Sequence, residues 1–286
     1  MPGSGSFVLT LSCPEQPGIV HAVTTVLNDN GCDITEHQQF DDPMNGKLFL
    51  RTAFTAPAGG CVGDALRTGF ASIADVFDMT WQLHDATHRT RILIMVSRFD
   101  HCLTDLLYRW RTGSLGGQIA AVVSNHRDLA QLAETAGVPF AHIPVTVHTK
   151  AAAEQRLLQV IDEQRIDLVV LARYMQVLSD PLCRTLHGRA INIHHSFLPS
   201  FTGAKPYHQA YERGVKYVGA TAHYVTAELD EGPIIEQELT RVDHRRAPDD
   251  LIAVGRDAER LALARAVTWH CQHRILLNGN RTIVFN

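Results

Sequence analysis

The sequence predicts an α/β chain in two parts: a small βαββαβ unit, then a larger unit on a mostly parallel sheet. Three observations carry this. The apolar pattern changes near residue 86 from a hairpin rhythm to regular strand–helix alternation. A short polar stretch, residues 86–90, separates the two rhythms. Charge divides at the same place. Residues 1–85 hold three basic residues (Lys47, Arg51, Arg67) against ten acidic ones, a net of −7, whereas the remaining 23 basic and 20 acidic residues leave 86–286 at +3. The 286 residues suffice for two ordinary domains at roughly 100–200 residues each. The expected division is therefore 1–85, a linker 86–90, and 91–286.

In the first unit, Phe7–Ser12 alternates as a strand should. Ile19, Val20, Val23, Val26 and Leu27 fall at helical spacing, and Asn30-Gly31 is a helix-stop signal. Cys32–Phe40 and Lys47–Phe54 read as strands joined by the hairpin connection Asp41–Gly46. A helix over Cys61–Ile73 and a strand over Val76–Leu83 complete a ferredoxin-like order. In the second unit, strands are expected at Arg91–Val96, Ile119–Ser124, Phe140–Ile143, Asp167–Ala172 and Ala190–His194. Helices are expected at Cys102–Arg111, Arg127–Ala136, Lys150–Gln164 and Pro181–Leu186. Continuous apolar strands between helices imply a Rossmann-like, doubly covered parallel sheet, which binds ligands at the carboxyl ends of its strands. Strands near Lys216–Val225 and Pro233–Leu239, a long helix about Pro248–His273 and a hairpin within Ile275–Phe285 follow.

Composition excludes several functions. A hydrophobic fraction of 45% with 20% charged residues is that of a globular chain, not a disordered one. No apolar run approaches the ~20 residues of a membrane helix, no Lys/Arg run marks a nucleic-acid footprint, and the first residues have no secretory pattern. The expectation is a cytoplasmic protein with no membrane or nucleic-acid partner. Cys13, Cys32, Cys61, Cys102, Cys183 and Cys271 form no CxxC pair and read as reduced, mostly buried thiols. His84 and His88, beside the linker, read as solvent-facing.

Chemistry concentrates in Ile191–Phe201. Asn192 and His194 lie two apart at the end of a strand, so both project to one face while Ile191 and Ile193 enter the core. A carboxamide beside an imidazole can hold an oxyanion and move protons. A carboxylate partner for His194 is expected from Ala227–Pro233, where spacing alone does not choose among Glu228, Asp230 and Glu231. No metal is expected: His195, His208 and His223 lack a ligand spacing such as HExxH.

The run N-I-H-H-S-F-L-P-S-F, with G-A-K-P-Y-H-Q-A-Y, G-A-T-A-H-Y-V and L-D-E-G-P-I-I downstream, resembles the folate-dependent formyltransferases, and among them the formyltetrahydrofolate deformylases. The resemblance covers nearly the whole chain, including a front unit that resembles an ACT domain. It implies hydrolysis of 10-formyltetrahydrofolate to formate and tetrahydrofolate, supplying formate for purine synthesis. Asn192 is implied as oxyanion donor, His194 as catalytic histidine and Asp230 as catalytic aspartate. Arg173, Tyr174, Met175, Gln176, Val177 and Leu178 match the pterin-binding segment, with Val225 and Leu229 on the other side. Related transferases often have Arg where Gln176 stands.

The resemblance also implies folate as substrate and no tightly bound cofactor. In the front unit it implies an effector loop of Glu15, Gln16, Pro17, Gly18 and Ile19 for an amino acid, glycine or methionine. A homo-oligomer, dimer or tetramer, follows from the same likeness. The alternative is a formyltransferase with an amine acceptor. Against it, Ser97–Leu103 carries no glycine for a phosphate cradle, and Phe99 and Asp100 oppose an incoming phosphate.

Overall fold

A computed structural model describes residues 5–57, 62–198 and 206–286. It forms two compact units. The first is Met1–Arg89 with Gln272–Leu276 and Ile283–Asn286; the second is Thr90–Cys271 with Leu277–Thr282. The division 1–85/91–286 thus differs at the C-terminus. A buried residue helps bind that returning segment: Arg51 donates from Nε to the His273 carbonyl at 3.1 Å and from Nη2 to the Gln272 carbonyl at 3.0 Å.

The first unit runs β1 (Gly5–Pro14), α1 (Ile19–Asp29), β2 (Asp33–Asp42), β3 (Lys47–Ala56), α2 (Val62–Phe77) and β4 (Thr80–Asp85). The antiparallel sheet has the order β2-β3-β1-β4, which is the expected ferredoxin-like arrangement. Leu9 and Leu11 from β1, Leu50 and Phe54 from β3, Ile19, Val23 and Leu27 from α1, and Leu66 and Phe70 from α2 share one core. Each such apolar side chain contributes roughly 1.5–3 kcal/mol on burial. Helix α1 ends as Asn30-Gly31 foretold: Gly31 has φ 67°, Gly31 N–H donates to Asn28 and Cys32 N–H to Leu27, a Schellman closure.

The α2/β4 boundary differs from the expected one. Val76 and Phe77 read as the start of a strand, but the helix continues through them and stops at Asp78, φ 51°. Cys61 lies outside the described residues. His84 is half-buried instead of solvent-facing, stacked on His273 with ring centroids 3.6 Å apart. Burial, with the positive charges of Arg67 and Arg51, pushes its pKa down to about 4.

The second unit contains β5 (Arg91–Val96), α3 (His101–Arg111), β6 (Gln118–Ser124), α4 (Ala130–Thr135), β7 (Phe140–His142), α5 (Lys150–Glu163), β8 (Leu168–Leu171), α6 (Asp180–Thr185), β9 (Ala190–His194), α7 (Pro206–Glu212), β10 (Tyr217–Tyr224), β11 (Ile234–Arg241) and α8 (Pro248–Cys271). The short strands β12 (Ile275–Asn278) and β13 (Arg281–Val284) close the chain. The seven-stranded sheet has the order β11-β10-β9-β8-β5-β6-β7. It is parallel from β7 to β9, and β10 and β11 are antiparallel. Leu93 and Met95 of β5 and Val169 and Leu171 of β8 pack with Leu157, Val160 and Ile161 of α5. The alternate residues Ile92, Ile94 and Val170 are fully buried as well, so the sheet is covered on both faces. Strand order reverses between β5 and β8, the switch point at which such sheets open a ligand crevice.

Candidate active site

A cavity of about 400 Å³ lies in the second unit, bounded by the segment after β8, the end of β9 and the β10–β11 connection. All of the expected catalytic and substrate-binding residues line it: Asn192, His194, Asp230, residues 173–178, Val225 and Leu229. Met175, Val177 and Leu229 are exposed there, offering apolar surface to a ligand.

Strand β9 behaves as its alternation demands. Ile191 and Ile193 are buried, and Asn192 and His194 share the opposite face. Register then supplies a neighbour that spacing could not show. His223 on β10 stands directly opposite Asn192, and Asn192 Nδ2 lies 3.2 Å from His223 Nε2. His223 Nδ1 donates to the Tyr224 carbonyl at 2.9 Å, so in the neutral ring Nε2 accepts from Asn192. The carboxamide is thereby fixed in orientation.

Among the three acids of the connecting loop, Asp230 reaches the imidazoles. Its Oδ2 is 3.2 Å from His194 Nδ1 and its Oδ1 is 3.7 Å from His223 Nε2, while Glu228 and Glu231 are exposed. Asp230 sits at φ 58°, a left-handed conformation that Asp tolerates better than most residues. Gly232 is required two residues on: a Cβ there would fall 1.7 Å from the Tyr224 carbonyl oxygen. Burial opposes ionisation of Asp230, but the hydrogen bond from His194, with His223 adding to it when that ring is protonated, outweighs burial and holds the carboxyl well below the usual range. With Nδ1–H committed to this carboxylate, His194 has Nε2 left for a substrate.

The segment after β8 is anchored from the two strands beyond it. Buried Ser97, just past β5, accepts from Met175 N–H at 2.9 Å and donates to Asn125 Oδ1 at 2.7 Å. Tyr174 and Leu178 pack against the core, so the segment's exposed Met175 and Val177 project from a fixed base. Asn125 belongs to no motif in the sequence, and Ser97 stands out only as the first residue of the glycine-free stretch Ser97–Leu103.

Arg173 lines the cavity but carries a second set of contacts. Its Nε is 3.4 Å from Oε2 of Glu259, and its guanidinium lies 5.0 Å from the Phe99 ring centre. Glu259, on α8, is 1% exposed. It also meets His101 Nε2 at 2.8 Å and accepts from the Tyr207 hydroxyl at 3.0 Å. Burial opposes its charge, and His101, Arg173 and Tyr207 together keep its pKa lowered. His195, between His194 and Tyr207, is pushed down to about 4 by burial and then by Arg173 and His194.

Donor atoms of His101, Cys102 and Glu259 lie within 4.8 Å of one another. Both Glu259 oxygens are already engaged, however, and burial first, then Glu259, raises the Cys102 thiol well above its ordinary value. The donor set is thus a closed polar network, and Cys102 is unsuited to nucleophilic chemistry. Tyr207 packs inside its helix start while His208 is exposed and away from the cavity. The loop Ser196–Pro206, whose two prolines and Gly203 suggest a shaped wall, lies mostly outside the described residues. In the first unit, Glu15, Gln16, Pro17 and Gly18 form an exposed turn, with Gly18 at φ 97°. The Ile19 side chain is in the core, so only its backbone is available to a ligand there.

A formyl transferase family model matches residues 90–267. A formyltetrahydrofolate deformylase of Corynebacterium sp. (strain P-1) is 56% identical over 97% of each chain. The crystal structure of formyltetrahydrofolate deformylase from Burkholderia mallei superposes with a TM-score of 0.94 at 52% identity, over 99% of this chain and 100% of that one. A glycinamide ribonucleotide transformylase from Symbiobacterium toebii is 31% identical with a TM-score of 0.66, over 70% of this chain and 95% of that one. By its catalytic-unit match and its near full-length identity to these relatives, the chain belongs to the formyltetrahydrofolate deformylases of the formyl transferase family.

Proposed function

We infer that the chain hydrolyses 10-formyltetrahydrofolate to formate and tetrahydrofolate. The observation that carries this is the convergence of Asn192, His194 and Asp230 on one cavity lined by residues 173–178, in a chain so similar to named deformylases. The apolar side chains of that segment and Leu229 suit a flat pterin, and the backbone between them offers hydrogen bonds to its edge.

Each residue's task follows from its surroundings. The oxygen of water attacks the formyl carbon. Asn192, held by His223, donates Nδ2–H toward the oxygen on which charge develops. A carboxyl held as low as Asp230 is a poor base near neutrality, so the proton from water passes to His194 and on to N10 as the C–N10 bond breaks. Asp230 orients His194 through Nδ1 and stabilises the imidazolium that forms. We further propose that folate enters as a substrate with no tightly bound cofactor. By family likeness, the turn 15–19 is proposed to hold glycine or methionine in a homo-oligomer.

The test is formate release from 10-formyltetrahydrofolate with no acceptor added. Stoichiometric formate and tetrahydrofolate from the purified chain support hydrolysis. Release only when an amine acceptor is supplied would overturn it in favour of transfer.

A further inference from the structure

A related transformylase scaffold must admit an amine acceptor beside folate, whereas a hydrolase must admit only water, and this inference rests on the hydrolytic reading above. We propose that the Arg173 side chain is a plug that closes the acceptor side of the cavity, making this site specific for water.

Three features converge on it. Arg173 holds φ 64°, a left-handed backbone at a residue that is not glycine; such a conformation costs roughly 1–2 kcal/mol. This backbone carries the guanidinium inward, where the side chain is 11% exposed and paired with Glu259 over the Phe99 ring. Glu259 is in turn gripped by His101 and Tyr207, none of which lines the cavity. Arg173 and His195 thus line the cavity along with His194, and the buried network holds Arg173 from outside the lining. Stability does not explain the arrangement. Buried ion pairs are commonly no better than apolar residues of the same volume, and glycine would relieve the backbone strain. What the ion pair supplies is a side chain locked in one place, filling the space an amine would need. Water needs far less.

Opening this wall lets an amine nitrogen attack the formyl carbon. The new C–N bond forms, the C–N10 bond breaks, and the proton lost by the amine goes to N10. No oxidant or reductant is involved.

The experiment supplies 10-formyltetrahydrofolate with glycinamide, a small primary amine, and measures N-formylglycinamide and formate by mass spectrometry. Wild type is read first: it gives formate without formylamide, and absence of formate would refute the hydrolytic reading before any variant is considered. Arg173→Gly combined with Glu259→Gln, so that no buried carboxylate is stranded, raises the formylamide-to-formate ratio at least tenfold. Arg173→Asn with Glu259→Gln, asparagine being tolerant of left-handed backbone, does the same and serves if the glycine double variant does not fold. Arg173→Met in the same Glu259→Gln background refills the space without charge, and whatever its rate its formylamide-to-formate ratio stays at the wild-type value. An unchanged ratio in an opened variant that folds and binds folate overturns the plug, as does formylamide from Arg173→Met.

Discussion

Replacing Asp230 by Asn removes one negative charge and almost no volume, so its effect measures the electrostatic contribution to His194. Asp230 Oδ2 is 3.2 Å from His194 Nδ1. Opposite unit charges at that distance attract by about 5 kcal/mol at an effective dielectric near 20. That bounds the help the carboxylate gives to an imidazolium formed in the transition state. At about 1.4 kcal/mol per decade, the ceiling is a little under ten-thousandfold. The floor for losing a positioned acid–base partner is about a hundredfold. Asp230→Asn is therefore expected to lower kcat for formate release by 10²–10⁴ (about 3–5 kcal/mol), with KM changed less than threefold. Steady-state formate assays give kcat and KM, and titration with a non-hydrolysable folate analogue gives binding. A folded, folate-binding variant whose kcat stays within tenfold of wild type would refute the assignment of Asp230 to imidazolium stabilisation.

Asn192→Ala deletes the donor held by His223 and should lower kcat about 10²–10³ with little change in KM, measured in the same assay. Ser97→Ala frees Met175 N–H, a bond of about 1 kcal/mol; a KM rise of about fivefold is expected, and an unchanged KM would show that Ser97 does not position the segment. Gly232→Ala drives a Cβ against the Tyr224 carbonyl. It should cost as much activity as Asp230→Asn, and the double variant should lose no more than the worse single; additive losses would count against the shared route. His84, near pKa 4 when folded against about 6.5 unfolded, binds its proton more readily in the unfolded chain. Stability present above about pH 6.5 is thus lost as pH falls toward 4, by at most about 2 kcal/mol at pH 5. Urea midpoints across this range should show a flatter slope for His84→Gln.

Legibility in the sequence followed the range of the interactions. The Ile191/Ile193 alternation placed Asn192 and His194 on one face because strand geometry is local. The same is true of the Asn30-Gly31 stop, whose hydrogen bonds span only a few residues. Val76 and Phe77 misled because an apolar pair suggests the start of a strand, whereas Val76 is 72% exposed on the last turn of α2 and only Phe77 packs against the core. Asp230 could not be told from Glu228 or Glu231 by spacing. Its placement depends on a positive φ and on a backbone approach that Gly232 alone permits. His223 meets Asn192 through antiparallel register across 31 positions, information that no single strand contains.

Glu259 is the extreme of this series. It stands in a 24-residue helix rich in Arg and Asp, where one more acid reads as a solvated face. Yet it is more deeply buried than either Asn192 or His194, and its partner His101 is 158 residues away. The distinction has a physical basis. Groups that act on a formyl carbon are common to transfer and hydrolysis, because either reaction needs an oxyanion donor and a proton carrier. Those requirements are met within short motifs at the end of β9 and in the β10–β11 connection. Choosing water over an amine is a matter of occupied volume, and volume here is set by α3, the segment after β8, α7 and α8 together. Reaction type is therefore concentrated in short motifs, while nucleophile choice is distributed through the packing behind them.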